Sequence, residues 1–415
     1  ERCSIIDRLK ERARSVSFQG SNTKKRNTTV THQMQSNELS EAVQLLADNG
    51  FEGMANAMQI LLNEAMRLER SEYIGAEPYE RTEQRRSYSN GFKDKTVDSR
   101  LGKLALKVPQ TRDGDFYPSA LERGERSERA LKLAVAEMYV QGVSTRKVAK
   151  ITSELCGLEV TSTQVSRAAK LLDDELEAWR NRPIEEIEYL IVDARYEKVR
   201  VSGSVRDCAV LIAIGIKPSG HRSVLGVSVS LSEAEVHWRE FLSSLKKRSM
   251  HGVKLIVSDA HEGLKAARQA TFAGVPWQRC QFHLAQNAMH HTPRLEMRKQ
   301  VADDIRNIFN ASDAHHAEEE LGRFIDRYQE TAPKLAAWVE ANLAEGLAVF
   351  GIPSEHRKRM RTTNMLERQN RELKRRTRVA SLFPNEASLL RLVTAVLVEL
   401  SDEWETGMRY LTFQK

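Results

Sequence analysis

Two aspartates in this 415-residue chain stand in the same setting. Asp193 follows Leu190, Ile191 and Val192; Asp259 follows Leu255, Ile256 and Val257, with Ser258 between. Apolar runs of this kind read as strands buried on both faces, where an unpaired carboxylate is costly. One such aspartate is commonly a turn or cap residue. Two at the carboxyl ends of strands in one sheet point to a site, because open α/β sheets place their sites there. A third carboxylate, Glu367, lies in "RKRMRTTNMLERQNRELKRRTR" (357–378), where ten Lys and Arg accompany two Glu. On a helix over 363–378, Arg371, Lys374 and Arg378 fall within about 40° of Glu367, while Leu366 and Leu373 form a packing stripe about 100° round. Such a Glu either supports its helix through i,i+4 pairs or is a metal ligand flanked by phosphate-binding cations. Three carboxylates suit Mg²⁺ or Mn²⁺ well and Zn²⁺ poorly. Two such ions activate an attacking oxygen and stabilise a leaving one in phosphodiester displacement. Without metal the three carboxylates would repel a phosphate, so the acidic triad and the basic helix read as one mechanism.

Other residues near these positions have two readings each. Arg195, two residues beyond Asp193, contacts DNA or balances the carboxylates. His261, two beyond Asp259, touches a phosphate or starts a helix. Cys280 and His283 in "CQFH" are too few for a structural zinc site, which needs four ligands; the alternative is a buried thiol and a hydrogen-bonded histidine that position the core.

The elements that must hold these residues follow from pattern. Residues 1–36 are polar with little periodicity and are expected to be a disordered or added leader, with Met34 a plausible start. Helical spacing over 37–85 gives two helices joined near Asn49-Gly50, and "LGKLALKVPQTRDGDF" alternates as a small β-element within 86–120. From 121 to 183 three short helices are punctuated by Gly142 and Gly157, with Ser144 or Thr145 and Thr161 or Ser162 as caps. This reads as a helix-turn-helix unit whose third segment exposes Gln164, Arg167 and Lys170, or as an ordinary three-helix bundle. From 184 to 283 the pattern predicts a hairpin pair of strands at Tyr189–Val192 and Lys198–Val201, further strands at Cys208–Ile216 and Ser223–Ser230, then alternating helix and strand: a mixed α/β sheet. Residues 284–352 are helical in pattern, an insertion, and 353–415 return through the basic helix to a last apolar helix, Glu386–Trp404.

Composition bounds the rest. The net charge of +7 resides in 357–378, whose balance is +8, so the remainder is near neutral. Such a block is either a solvated face or a footprint for a polyanion. A length of 415 residues implies several domains. No apolar run has the length of a membrane span, mean hydropathy is −0.51, and four scattered cysteines fit a reducing cytosol.

Together "LIVDARYEKVR", "IVSDAHEGLKAA", "WQRCQFHLAQN" and "TTNMLERQNRELKRRTRVASLFPNEASLLRLV" resemble a Mutator-type bacterial insertion-sequence transposase of the DDE class, over about Asn37 to Tyr410. The resemblance implies an RNase H-like catalytic core with an all-α insertion, preceded by the helix-turn-helix region. It makes Asp193, Asp259 and Glu367 the catalytic, metal-binding triad and matches Cys280 and His283 to the family's Cys-x-x-His signature. The implied chemistry is hydrolysis at element ends, then attack of the released 3′ hydroxyls on target DNA, with two Mg²⁺ or Mn²⁺ ions. Asp193 would bridge both, and Asp259 and Glu367 would each complete one. Arg195, Arg368, Arg371, Lys374 and Arg375 are the expected backbone contacts, with Gln164 and Arg167 reading the terminal inverted repeats. The expected partners are double-stranded DNA at the repeats and the target, and a second copy in a homodimer or larger assembly, in the bacterial cytoplasm at the nucleoid. Two other classes stay open: a DNA-binding regulator without catalysis, and an RNase H-like nuclease that cuts without joining.

Overall fold

The computed structural model describes residues 36–121, 123–378 and 382–413, with Ser36 and residues 364–369 described in backbone only. The expected leader at 1–36 thus lies, apart from the backbone of Ser36, outside the described residues. The chain divides into two compact units at Leu171–Leu172.

The first unit opens with helices α1 (Ser36–Asn49) and α2 (Met54–Ile74), followed by the antiparallel hairpin β1 (Ser89–Ser99) and β2 (Gly102–Thr111). Alternation along β2 buries Leu104 and Leu106 against Met66 of α2. The edge of β2 is met by α2 side chains: Gln59 and Asn63 accept from the Ala105 and Lys107 N–H groups at 3.0 and 2.9 Å. Helices α3 (Arg129–Val140), α4 (Thr145–Cys156) and α5 (Ser162–Ala169) follow. Gly157, with φ of 64°, takes the left-handed backbone that ends α4, a conformation open to glycine without strain. The Ser144 hydroxyl caps α4, and Thr161 caps α5 in a reciprocal box with Gln164.

The second unit is built on a five-stranded sheet of β3 (Tyr189–Val201), β4 (Ser204–Ile216), β5 (Arg222–Ser230), β6 (Leu255–Ser258) and β7 (Trp277–Arg279). Its spatial order is β5-β4-β3-β6-β7; β3, β4 and β5 form an antiparallel meander, and β6 and β7 add in parallel. The hairpin expected of Tyr189–Val192 and Lys198–Val201 does not form: the two segments are one continuous strand, whose antiparallel partner is β4. Its second half is polar because, beyond the last β6 pair at Ile191↔Val257, it pairs along its length only with β4 and meets a single bridge, Val199↔Phe383, on its other side. Leu190 and Val192 face a core with Trp238, Phe241 and Leu245 of α7 (Glu235–Lys247), while Tyr189 and Ile191 point to the other face and are equally buried. Both sides of the Tyr189–Val192 half of β3 are therefore dry, as its unbroken apolar run requires.

After α8 (Glu262–Thr271) and β7, helices α9 (Gln281–His290), α10 (Met297–Phe309), α11 (Ala314–Tyr328) and α12 (Pro333–Asn342) bury their own cluster of Leu284, Ile305, Phe324, Leu335 and Val339. Helix α13 (Ser354–Met360) leads to the basic helix α14 (Asn364–Thr377) and to α15 (Glu386–Thr406), which packs on β5. Asp173–Arg180, α6, belongs to this unit and not to the preceding helices. Arg391 of α15 holds Asp173 at 2.8 Å, and Arg180 donates to Thr394 at 3.2 Å.

Candidate active site on the central strands

Strand register brings the first two carboxylates together. The parallel pairing of β3 with β6 ends at Ile191↔Val257, so Asp193 and Asp259 each lie two residues beyond that pair. They line one cleft of about 330 Å³ with Glu233, His261, Arg279 and His283. Burial, with the negative charge of Asp259 second, raises the Asp193 carboxyl to about 7. A hydrogen bond from Asn370 opposes that rise: its Nδ2 donates to Asp193 Oδ2 at 2.9 Å.

Register also explains the Cys-x-x-His pair. Strands β6 and β7 run in parallel with Ser258↔Arg279, so the next residue of each, Asp259 and Cys280, meet at the strand ends; the Cys280 N–H donates to the Ser258 carbonyl at 2.9 Å. Cys280 is the N-cap of α9, and the first turn returns His283 to Asp259, with Nδ1 against Oδ1. The ligand atoms of Asp259, Cys280 and His283 all lie within 4.8 Å of one another. Asp259, and then Cys280, raise the His283 imidazole to about 10. Burial pushes the Cys280 thiol up, but hydrogen bonds from His283 and Thr363 outweigh it and hold the thiol below its usual range. The Thr363 N–H and O–H both donate to Cys280 Sγ at 3.4 Å. The cluster thus satisfies itself: the thiol is hydrogen-bonded and the imidazolium is the counter-ion of Asp259.

Glu367 lies in the backbone of α14, three residues before Asn370, and its side chain and that of Arg368 fall outside the described residues. Arg195 points inward. Its Nη1 donates to the Asn370 carbonyl at 2.8 Å and its Nη2 pairs with Glu197, leaving the side chain 12 % exposed. Arg371, Lys374 and Arg375 stand exposed on α14, with Arg375 held to Glu372 at 2.7 Å. In the first unit Arg167 is exposed, while the Gln164 carbonyl oxygen is engaged by the Thr161 N–H at 2.7 Å in the α5 capping box. Sequence reasoning missed Glu233 and Asn370. Neither has a patterned setting, and each reaches the site only through tertiary packing.

The model of the family "Transposase, Mutator family" matches residues 27–407. The chain belongs to the Mutator family of transposases. It is 57 % identical over 382 residues, 92 % of this chain and 98 % of the relative, to the transposase for insertion sequence element IS406 of Burkholderia multivorans. It is 42 % identical to the transposase for ISRM5 of Rhizobium meliloti, over 90 % of this chain and 94 % of that one. A third relative is the transposase for IS256 in transposon Tn4001 of Staphylococcus aureus, 38 % identical over 87 % and 93 % of the two chains. This Mutator-family transposase is thus similar to insertion-sequence transposases over most of its length. No helix among its described residues is long and apolar enough to cross a membrane.

Proposed function

We propose that this chain cuts DNA at the ends of its insertion sequence and joins the freed 3′ hydroxyls to target DNA, as a divalent-metal-dependent DDE enzyme. The observation that carries the reading is the pair Asp193 and Asp259, set by register into one cleft in which the Asp193 carboxyl is raised by burial and by its neighbour. Two adjacent carboxylates with one destabilised charge form a donor set that a hard cation would relieve. The soft thiol and imidazole beside them are already satisfied, which favours Mg²⁺ or Mn²⁺ over Zn²⁺.

Asp193 and Asp259 would hold the ions, with Glu367 brought by α14 as the third ligand. When bound, the ions supply activation of the attacking oxygen and stabilisation of the leaving one. The chain's own residues fix the carboxylates. His283 holds Asp259, and Asn370 holds Asp193. Arg371, Lys374 and Arg375, exposed one to two turns beyond Glu367, bind the DNA backbone, with Arg368 beside Glu367. The strand order β5-β4-β3-β6-β7, with a meander followed by two parallel strands, supports an RNase H-like core. The helices α3 to α5, with side-chain caps on α4 and α5, support a helix-turn-helix unit in which Arg167 reads the repeats, with Gln164 divided between that task and its capping role. Synapsis of two ends asks for a dimer or larger assembly.

The test incubates the protein with a duplex carrying its element's end and Mg²⁺ or Mn²⁺. Cleavage is expected at the end, and a pre-cut 3′-hydroxyl end should be joined to a second duplex. Asp193→Ala and Asp259→Ala should each lower both steps by more than about 100-fold while DNA binding persists. Cleavage that survives either substitution overturns the triad, and cleavage without joining identifies a nuclease.

A further inference from the structure

Helix α14 is fastened to β3 by a ladder of polar contacts. Asp193, Arg195 and Glu197 alternate on one face of the strand. Asp193 accepts from the Asn370 side chain at 2.9 Å, Arg195 donates to the Asn370 carbonyl at 2.8 Å, and Glu197 accepts from the Thr377 hydroxyl at 2.8 Å. Asn370 and Thr377 are seven residues apart, about two helical turns. Asn370 therefore contributes both its side chain and its carbonyl to the ladder.

We infer that Asn370 is a positioning residue for the metal site, one that sets the helix of the third carboxylate against the first. The inference rests on the reading of Asp193, Asp259 and Glu367 as metal ligands. Its chemistry requires an amide. The Asp193 carboxylate accepts only, so the Asn370 NH₂ must face it; the flipped amide would oppose oxygen to oxygen. That fixes the rotamer and leaves Asn370 Oδ1 buried without a partner among the described residues. A buried acceptor left open on the amide that holds the Asp193 carboxylate is a place for a water of the metal's hydration shell to donate. Glu367, three residues earlier on the same helix, is one turn from this anchor, so the rotation and height of α14 on β3 set where its carboxylate can reach. Arg195 braces the same point through the main chain.

The experiment uses the full-length protein with Asn370→Ala and with the near-isosteric Asn370→Leu, which keeps the volume and removes both polar atoms. Mn²⁺ binding is titrated calorimetrically without DNA, and the Mn²⁺ midpoint of end cleavage is measured separately. The expected result is a midpoint and a dissociation constant each raised about 10- to 100-fold, the range for removing a group that orients a metal ligand. Affinity for end DNA without metal should be unchanged, and activity should return at high Mn²⁺. A merely structural residue would lower the folded fraction without moving the midpoint. If Asn370→Ala does not fold, Asn370→Leu decides alone. Unshifted Mn²⁺ binding in a folded variant overturns the inference. Failure of the wild-type protein to bind Mn²⁺ or cleave overturns the underlying function instead, so the two failures are distinguishable.

Discussion

Asp193 holds a destabilised charge, and that has a consequence for stability. Its carboxyl rests at about 7 in the folded protein, against 3.8 for an ordinary aspartate. Between those values the folded state keeps a proton that the unfolded state has released, so metal-free stability falls as pH rises through the window from about 4 to 7. The contribution is on the order of a few kcal/mol. His283 acts in a different window. Its folded value of about 10, above the ordinary 6.5, gives stability that is complete below 6.5 and disappears as pH rises through 10. Glu128, Glu372 and Glu405, whose carboxyls are held below the ordinary 4.5, act at the acid end, so the slope in the middle of the window, between the ordinary carboxylate range and 6.5, belongs to Asp193. Asp193→Asn keeps the shape and the contact with Asn370 but cannot ionise. Without metal, the variant should melt several degrees above the wild type at pH 8 and at the same temperature near pH 4. Added Mg²⁺ should raise the wild-type melting temperature at pH 8 and leave the variant unmoved. Parallel melting profiles across pH 4–8 would sink the assignment of strain to this carboxylate.

Elements turn these residues into a site, and they differ in how far the sequence revealed them. Asp193 and Asp259 were legible because a charge after an unbroken apolar run breaks the pattern of a buried strand. The contact between Asp259 and His283 was not, although Cys280 and His283 had been singled out. It depends on β6 and β7 ending in register at Ser258↔Arg279, a long-range pairing that local pattern does not encode. The continuation of β3 past Asp193 was hidden for a similar reason: a strand fully paired on one side, with a single bridge at Val199↔Phe383 on the other, reads as polar loop. Asn370 was hidden among cations on a helix whose face is chosen by β3. Another such element is the tight start of α8. A Cβ on Gly263 would lie 2.2 Å from the Glu233 carbonyl oxygen and 2.9 Å from the Glu235 nitrogen, both backbone atoms. Gly263 is thus what lets α8, which begins three residues after Asp259, lie against the segment leading into α7 that carries Glu233 into the cleft. Gly263→Ala should cost about 1–3 kcal/mol in urea unfolding, the range for overpacking. End cleavage should fall more than the loss of folded protein explains, because the cleft wall shifts with the backbone. Unchanged stability and cleavage would mean that the two segments separate freely.

At the scale of the whole molecule, charge is partitioned rather than spread. Residues 357–378 hold a balance of +8 in a chain of +7, so the rest offers a polyanion almost no net attraction. Part of that charge is already committed inside the protein. Arg376 reaches Glu399 of α15 at 2.6 Å, Arg361 donates to Asn310 at 2.8 Å, and Arg357 donates to the Ser312 carbonyl at 2.8 Å. Arg371 and Lys374 are exposed on the helix that carries Glu367. If they meet phosphates, each contact releases a condensed counterion, and the slope of log affinity against log salt should lose about 0.9 per contact removed. The double variant Arg371→Ala, Lys374→Ala should therefore flatten that slope by about 2, measured by fluorescence anisotropy on an end duplex between 50 and 300 mM salt. The loss should be nearly equal on a duplex of unrelated sequence, because phosphate contacts position the protein without reading bases. Arg167→Ala in the first unit should behave oppositely, weakening the end duplex more than the unrelated one. An unchanged salt slope in the double variant would move the DNA off α14, and with it the reason for setting a carboxylate among those cations.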